Sequence, residues 1–457
     1  MKKTLRKILA GCLALSMTVG AAGLGACGNS DIDSEGNVIV TMSIMNSTNE
    51  NPGWLAMIDA ANEVLKRDGQ KVRIEPEIIK TDSWDNYYTK VTSNILGSIG
   101  GTIGRIAESH MPMMVDKRQV MDLTSIRDEL VATGEYDASS FDGVAKNGGK
   151  YYGLPSGTQH MVLYYNKTLF DEYNADNPTA RIEYPSDDWS NASTFAEIRD
   201  TAKKITDYYT AKLGANKKKF GLSAGPYLAY AGMYAKNSGG VNIFDANGEC
   251  QIASQPFYDV YDWFTQMLVT DKSMPNTSDT QTLDASARFL GGNIAMIIDG
   301  VWQMHDICEY TENYEIGIAA IPVSDKQYTS YSTTFTDRFW AARNSRHPEE
   351  DKIALKALMS KEAITAVSNK QIGGIPIRTD CVDNYFEAIK GTKLSDYVDV
   401  VKNGIANKVN VPYSTYYNIV DQQINQKMSV WINGNMTAKD YVDFMADTMK
   451  KGMAGKL

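Results

Sequence analysis

Four histidines serve the whole chain, His110, His160, His305 and His347, and their spacing suggests neither a metal site nor a catalytic triad. A zinc hydrolase needs two histidines one helical turn apart, and a serine hydrolase needs its nucleophile on a glycine-flanked turn. H-E-x-x-H, G-x-S-x-G and the Walker A loop are all absent from the sequence. Gly239-Gly240, Gly291-Gly292 and Gly373-Gly374 lack the strand-then-helix setting of a dinucleotide fingerprint and read as turns. Acidic pairs stand at Asp187-Asp188 and Glu349-Glu350, where adjacency suits a loop or a helix start. A glycosidase sets the separation of its two carboxylates in space rather than in sequence, so motifs alone leave that enzyme class open. Phe244-Asp-Ala-Asn-Gly-Glu249 begins like a calcium loop but lacks the remaining oxygen ligands of an EF-hand; a β-turn on Asn-Gly is expected. Five cysteines form no C-x-x-C pair, which argues against structural zinc or a disulfide framework. No metal and no cofactor are expected. Aromatic rings, by contrast, are plentiful: 26 Tyr, 12 Phe and 7 Trp offer faces on which a flat solute could stack.

The chain that must position these groups has 457 residues, 43% hydrophobic and 22% charged, as ordinary folded proteins do. That is too long for one core and predicts two lobes of roughly 200 residues each. A net charge of −9 argues against a nucleic-acid partner, which needs a basic face. Residues 1–26 read as a secretory leader: Lys2, Lys3, Arg6 and Lys7 precede an apolar stretch, Ile8 to Leu24, rich in small residues. It ends in Leu24-Gly25-Ala26-Cys27, which resembles the lipobox of bacterial lipoproteins. The resemblance implies cleavage before Cys27 and lipid on its sulfur, with a polar tether over 27–37. Removing the leader takes away four cations and no acid, from −9 to −13. Besides Cys27, Cys250, Cys308 and Cys381 then remain, far apart and read as buried free thiols, although a pairing between two of them stays open.

Val38–Met45 is apolar enough on both faces for a strand covered on both sides. A polar loop from Asn46 follows, with Pro52 where the first helical turn tolerates it. Helical spacing of Leu55, Ile58 and Leu65, a strand at Val72 and Ile74, and a helix carrying Trp84, Tyr88, Val91 and Ile95 complete a β-α-β-α order. Ligands of such α/β sheets lie beyond the carboxyl ends of the strands, which places the Asn46–Trp54 loop at a site. Thr194 with Glu197 forms a capping box, and Thr437 with Asp440 a looser one.

The segment Tyr151-Tyr-Gly-Leu-Pro-Ser-Gly-Thr-Gln-His-Met-Val-Leu-Tyr-Tyr-Asn-Lys-Thr-Leu-Phe-Asp171 resembles a "YGLP … YYNK.LF" pattern, and Phe289-Leu-Gly-Gly-Asn-Ile-Ala-Met-Ile-Ile-Asp-Gly-Val-Trp302 resembles "F..G.AAM...G.W". Pro112 with Met121-Asp-Leu-Thr124 before them, and Ile321-Pro322 and Gly373-Gly-Ile-Pro-Ile-Arg378 after them, are further marks of the same kind. The ordered set resembles that of the extracellular solute-binding proteins of ABC importers, the family that includes maltose-binding proteins. Two departures stand out. Gly100–Ala107 replaces the usual "PDI" segment, and residues around Trp189–Phe195 are inserted where the family has a compact "TW.EF".

The resemblance implies an α/β, periplasmic-binding-protein-like fold of two lobes with a hinge of crossing segments and an interlobe cleft. Lobe one is expected over 38–155 and 332–377, and lobe two over 162–323 and 380–457. The crossings fall near 156–161, 324–331 and 378–379. It further implies a monomeric, lipid-anchored receptor on the extracytoplasmic face of the cell membrane, with no catalytic residues. The receptor would bind a carbohydrate, in the form of an oligosaccharide, and deliver it to the membrane subunits of an importer. A non-sugar solute, presentation of ligand to a sensor kinase, and a secreted carbohydrate-active enzyme remain alternatives.

A sugar presents flat C–H faces and many hydroxyls, so its site calls for rings to stack on and planar polar groups for paired hydrogen bonds. The candidates at strand ends and crossings are Asn49, Trp54, Glu108, Tyr227, Asp299, Trp302, Arg338, Trp340 and Arg378. Tyr230 reads as packing, and Trp84, Trp189, Trp263 and Trp431 as helix or loop packing.

Overall fold

The computed structural model describes residues 31–46, 50–81, 83–280, 283–370 and 374–457. The expected leader, Cys27 and Asn49 lie outside them. The strands of the two larger sheets are, in chain order, β1 (Val38–Met45), β2 (Val72–Ile79), β3 (Ile103–Ile106), β4 (Leu154–Pro155), β5 (Gln159–Asn166), β6 (Phe220–Ala224), β7 (Ile294–Gly300), β8 (Ile316–Ala319), β9 (Ser332–Phe335), β10 (Arg338–Ala341) and β11 (Lys408–Asn410). The helices used below are α1 (Asn51–Arg67), α2 (Trp84–Gly97), α3 (Phe195–Leu213), α4 (Leu228–Gly239), α5 (Tyr417–Ile432) and α6 (Ala438–Met453).

The first sheet has the order β2-β1-β3-β10-β4. β1 runs parallel to β2 from Val38 opposite Val72 to Met45 opposite Ile79, and parallel to β3 through Met42 and Ile103. Val40, Met42 and Ile44 are buried on one face while Ser43 is buried on the other, because helices cover both. α1 opens with Pro52 in its first turn and buries Trp54, Met57, Ile58, Ala61 and Leu65. Ser83 Oγ accepts from Asn86 N at 3.2 Å and starts α2, which buries Tyr87, Tyr88, Val91 and Ile95. Gly104 lets β3 lie under the Trp340 ring of β10: a Cβ there would stand 2.6 Å from Trp340 Cζ2.

The second sheet has the order β11-β9-β5-β7-β6, with β8 pairing β5. β5 is buried along its whole length. α3 carries the expected capping box: Thr194 Oγ1 accepts from Glu197 N at 3.2 Å, and Glu197 Oε2 accepts from Thr194 N at 2.7 Å. α6 starts from Thr437, whose Oγ1 accepts from Asp440 N at 3.1 Å. Phe244 bridges to Cys250 around an Asn247-Gly248 turn held by Asp245. Cys250, Cys308 and Cys381 are free thiols.

The chain passes between the sheets after Pro155, where β4 ends in one and β5 begins in the other. It returns at Thr336-Asp337, later than the 324–331 expected. Thr334 of β9 pairs with His160 of β5, and Ser332 to Thr334 pair with Lys408 to Asn410 of β11, so 332–335 belong to the second sheet. Alternation along a short strand reveals which face is buried but not which sheet it joins. A third passage separates Cys381, packed in the first lobe, from Tyr385, packed in the second. Among the described residues no helix is long and apolar enough to cross a membrane.

Candidate functional site

Where the two lobes face each other the structure encloses a cavity of about 440 Å³. The first lobe contributes Glu50 ahead of α1, Trp84 and Asp85 in the first turn of α2, Arg105 on β3, and Glu108 and His110 just beyond it. The second lobe contributes Tyr230 from the first turn of α4, Trp302 just past β7, Phe335 at the end of β9, and Tyr413 ahead of α5. Gln159 and Asp337, at two of the passages between lobes, complete the wall. Positions at strand ends and helix starts are those the sheet topology directs toward a shared opening.

Trp84, Tyr230, Trp302, Phe335 and Tyr413 are each half-buried, unlike the fully buried Trp54, Trp340 and Trp431. Three of these rings brace one another. Tyr230 meets Phe335 edge-on with centroids 5.9 Å apart, and Phe335 meets Trp302 in the same way at 5.7 Å. Such contacts fix ring orientation before any solute arrives. Tyr227 extends the row, 5.7 Å from Tyr230.

The polar wall is ordered around two buried arginines. Arg105 donates from Nη1 to Glu50 at 2.9 Å and from Nη2 to Asp337 at 2.6 Å, with its guanidinium over the rings of Trp54 at 4.3 Å and Trp84 at 5.1 Å. Its Nε is buried without a hydrogen-bond partner. Arg338 donates to Glu108 at 3.3 Å and to the carbonyls of Ser140 at 2.7 Å and Asp142 at 2.9 Å. Glu108 also accepts from Thr336 N at 3.0 Å, so it fastens the step between lobes. Burial raises the pKa of both Glu108 and Asp337, against the arginines that lower it.

His110 joins the lobes. Its Nδ1 accepts from Asn418 Nδ2 of α5 at 2.9 Å, its Nε2 lies 3.3 Å from Asp85, and its ring stacks on Tyr88 at 4.7 Å. Burial holds its pKa down at about 4, so it is neutral and Nδ1 is free to accept. Asp421, also on α5, is pushed up to about 6 by burial and by Asp85 across the cleft.

A second cavity of about 510 Å³ adjoins the first, with Tyr230 in both walls. It runs into the second lobe past Tyr227, Ser286 and Asp299. Asp299 accepts from Gly300 N at 2.8 Å, Ser286 Oγ at 3.1 Å and Gln303 Nε2 at 3.0 Å, and burial raises its pKa.

Of the sequence candidates, Glu108 and Trp302 line the interlobe cavity, while Tyr227 and Asp299 line its neighbour. Trp54 does not reach either: it is 1% exposed, edge-on to Phe339 and bonded to Glu50. Trp340 is core, since its strand turns that face inward beneath α2, and Arg338 is 2% exposed behind Glu108. Arg378 is spent on Glu135 and Asp380 in the first lobe, each at 2.8 Å. Trp84, read from the sequence as packing, and Arg105, Phe335, Asp337 and Tyr413, which are not among the sequence candidates, also line the interlobe cavity. Trp84 follows a Ser cap at the carboxyl side of β2, a signal of position that its helical spacing masked; Tyr413 carries no such signal.

Comparison with known proteins gives the same architecture. A family model described as "Bacterial extracellular solute-binding protein" matches residues 56–394. Binding proteins of Brucella abortus and Brucella suis are 26% identical over 219 residues, 47% of this chain and 48% of theirs. The chain thus spans about half the length of the curated relatives it matches. An ABC substrate-binding protein from Listeria monocytogenes, solved in complex with cycloalternan, superposes with a TM-score of 0.75 at 20% identity, covering 91% of this chain and 99% of that one. The maltose/maltodextrin-binding domain from Bdellovibrio bacteriovorus, bound to maltotriose, gives 0.71 at 16% identity over 91% and 100%. At such identities the likeness is one of fold.

Proposed function

The chain belongs to the bacterial extracellular solute-binding proteins, and from that premise we propose that it captures a carbohydrate between its lobes and hands it intact to an ABC importer. Membership implies work outside the cytoplasmic membrane. The observation that carries the reading is the braced wall of half-buried rings, Tyr230, Phe335 and Trp302, facing Trp84 and Arg105 across a 440 Å³ cavity. Rings supply faces for sugar C–H bonds, and the carboxylates of Asp85 and Glu108 on the same wall are acceptors for sugar hydroxyls. Trp302, Tyr230, Trp84 and Glu108 are the proposed contacts. The adjoining 510 Å³ cavity supports an oligosaccharide over a single sugar. Structures of similar fold with cycloalternan and maltotriose support the same class.

The solute would draw the lobes together, because only a ligand touching both faces favours the closed form. Lipid on Cys27 would keep the receptor at the membrane. A melting-temperature screen over a glycan panel tests the binding claim, since a ligand at 100 times its Kd adds about 2.7 kcal/mol of stability. The bound glycan recovered unshortened is the result expected of a receptor; shorter products point to an enzyme, and a panel without any shift removes the carbohydrate reading.

A further inference from the structure

The two cavities differ from an ordinary polar cleft in the sign of their charge. Their walls carry the carboxylates of Glu50, Asp85, Glu108, Asp337, Asp284 and Asp299, against one lining guanidinium, that of Arg105. Arg105 lies between Glu50 and Asp337 and offsets one of them. Arg338, behind the wall, offsets Glu108. His110 is neutral at pH 7, because burial holds its pKa at about 4, so although its Nε2 lies 3.3 Å from Asp85 it lends that carboxylate no charge. Asp299 is held by a backbone N–H, a hydroxyl and an amide, all uncharged donors. Burial raises the pKa of Glu108, Asp337 and Asp299 and so trims this tally, but a nearby cation would favour their charged forms, and the lining leans negative on surfaces that lose water when the lobes close.

Among the described lining residues an anionic solute finds no spare cation, because both arginines are committed to carboxylates. A neutral sugar satisfies hydrogen bonds but leaves the surplus charge enclosed. An ammonium group offsets that charge, and it is also attracted to the faces of Trp84, Tyr230, Trp302 and Tyr413. We propose that the captured saccharide carries a protonated amine: the site selects amino sugars over their all-hydroxyl counterparts. This rests on the carbohydrate reading above.

The test uses matched saccharides, from one to four units and in both α- and β-linked series, that differ only in bearing an amine, an acetamide or a hydroxyl at one ring carbon. Affinities are measured by calorimetry on the full chain at pH 6.5, in 20 mM and 300 mM salt. In the best-binding series the amine is expected to bind at least tenfold more tightly than the hydroxyl at 20 mM, with the advantage shrinking at 300 mM. Asp85→Asn, at a carboxylate whose side chain is 60% exposed, is expected to narrow that ratio several-fold without lowering the melting temperature of the free protein, since it also removes a repulsion on Asp421. Equal or tighter binding of the hydroxyl or acetamide member overturns the amine preference and leaves carbohydrate capture standing. An amine preference that neither salt nor Asp85→Asn reduces also overturns it, since the charge would not be its cause. Failure of every saccharide in every series to bind removes the carbohydrate reading, and this inference with it.

Discussion

The two tryptophans Trp302 and Trp340 separate binding from packing within one residue type. Trp302 is half-buried at the cavity; Trp340 is wholly enclosed among Ile106, Met114 and their neighbours. Trp302→Ala is expected to weaken saccharide binding roughly tenfold, by analogy with base stacking at about 1–3 kcal/mol per ring. Trp340→Ala is expected to cost about 3–5 kcal/mol of stability instead. Calorimetric titration beside urea unfolding distinguishes them; a stability loss in both with no change in affinity would deny Trp302 its role. Asp421 carries a pH prediction. Its pKa of about 6 in the folded chain lies above the usual carboxylate value of about 3.9, so the fold disfavours its charged form. That contribution is intact below about pH 4 and is lost as pH rises through about 6. Asp421→Asn should therefore raise the melting temperature at pH 7.5 and leave it unchanged at pH 4. Trp302 is legible through the resemblance of Phe289–Trp302 to a family pattern and through its place at a strand-to-helix turn. Trp54 and Trp340 misled because a ring beside a strand end serves a core as well as a ligand, and sequence does not carry the difference in exposure.

At the scale of elements, caps were the most legible feature. The Thr194–Glu197 box forms as its spacing requires, and Thr194→Ala is expected to cost about 1 kcal/mol, read as a shift in the urea midpoint. β1, α1, β2 and α2 also follow from apolar spacing and from Pro52. β9 did not, because Ser332–Phe335 draws its partners, His160 and Asn410, from distant parts of the chain. The contact of β3 with β10 depends on a missing side chain: a Cβ at Gly104 would meet Trp340 at 2.6 Å and the Ser43 carbonyl at 2.8 Å. Backbone on one side and an enclosed ring on the other leave little room to yield. Gly104→Ala is expected to cost about 1–3 kcal/mol in equilibrium unfolding, and a neutral result would mean that the sheet can open there.

Across the whole molecule, two α/β lobes with a cavity between them followed from length, element order and the resemblance together. The lining of that cavity did not, since Trp84, Asp337 and Tyr413 converge only after three passages of the chain have been folded. His110 and Asn418 already bond across the cleft, so a bound solute adds to a contact that exists without it. Small-angle scattering should show a smaller radius of gyration with saccharide than without. Asn418→Ala should widen the free form and weaken binding severalfold, while an unchanged radius would deny the contact a part in closure.

The position of β10 bears on how the chain is made. It sits between β3 and β4, although some 180 residues of the second lobe separate its sequence from theirs. A growing polypeptide that has emerged only as far as Pro155 holds strands on either side of an unfilled slot, with raw edges and no stable sheet. Neither half can finish ahead of the other, so assembly is concerted and late. A fragment cut after residue 155 is expected to remain soft and protease-sensitive, and the nascent chain stays loose until synthesis has passed Ala341.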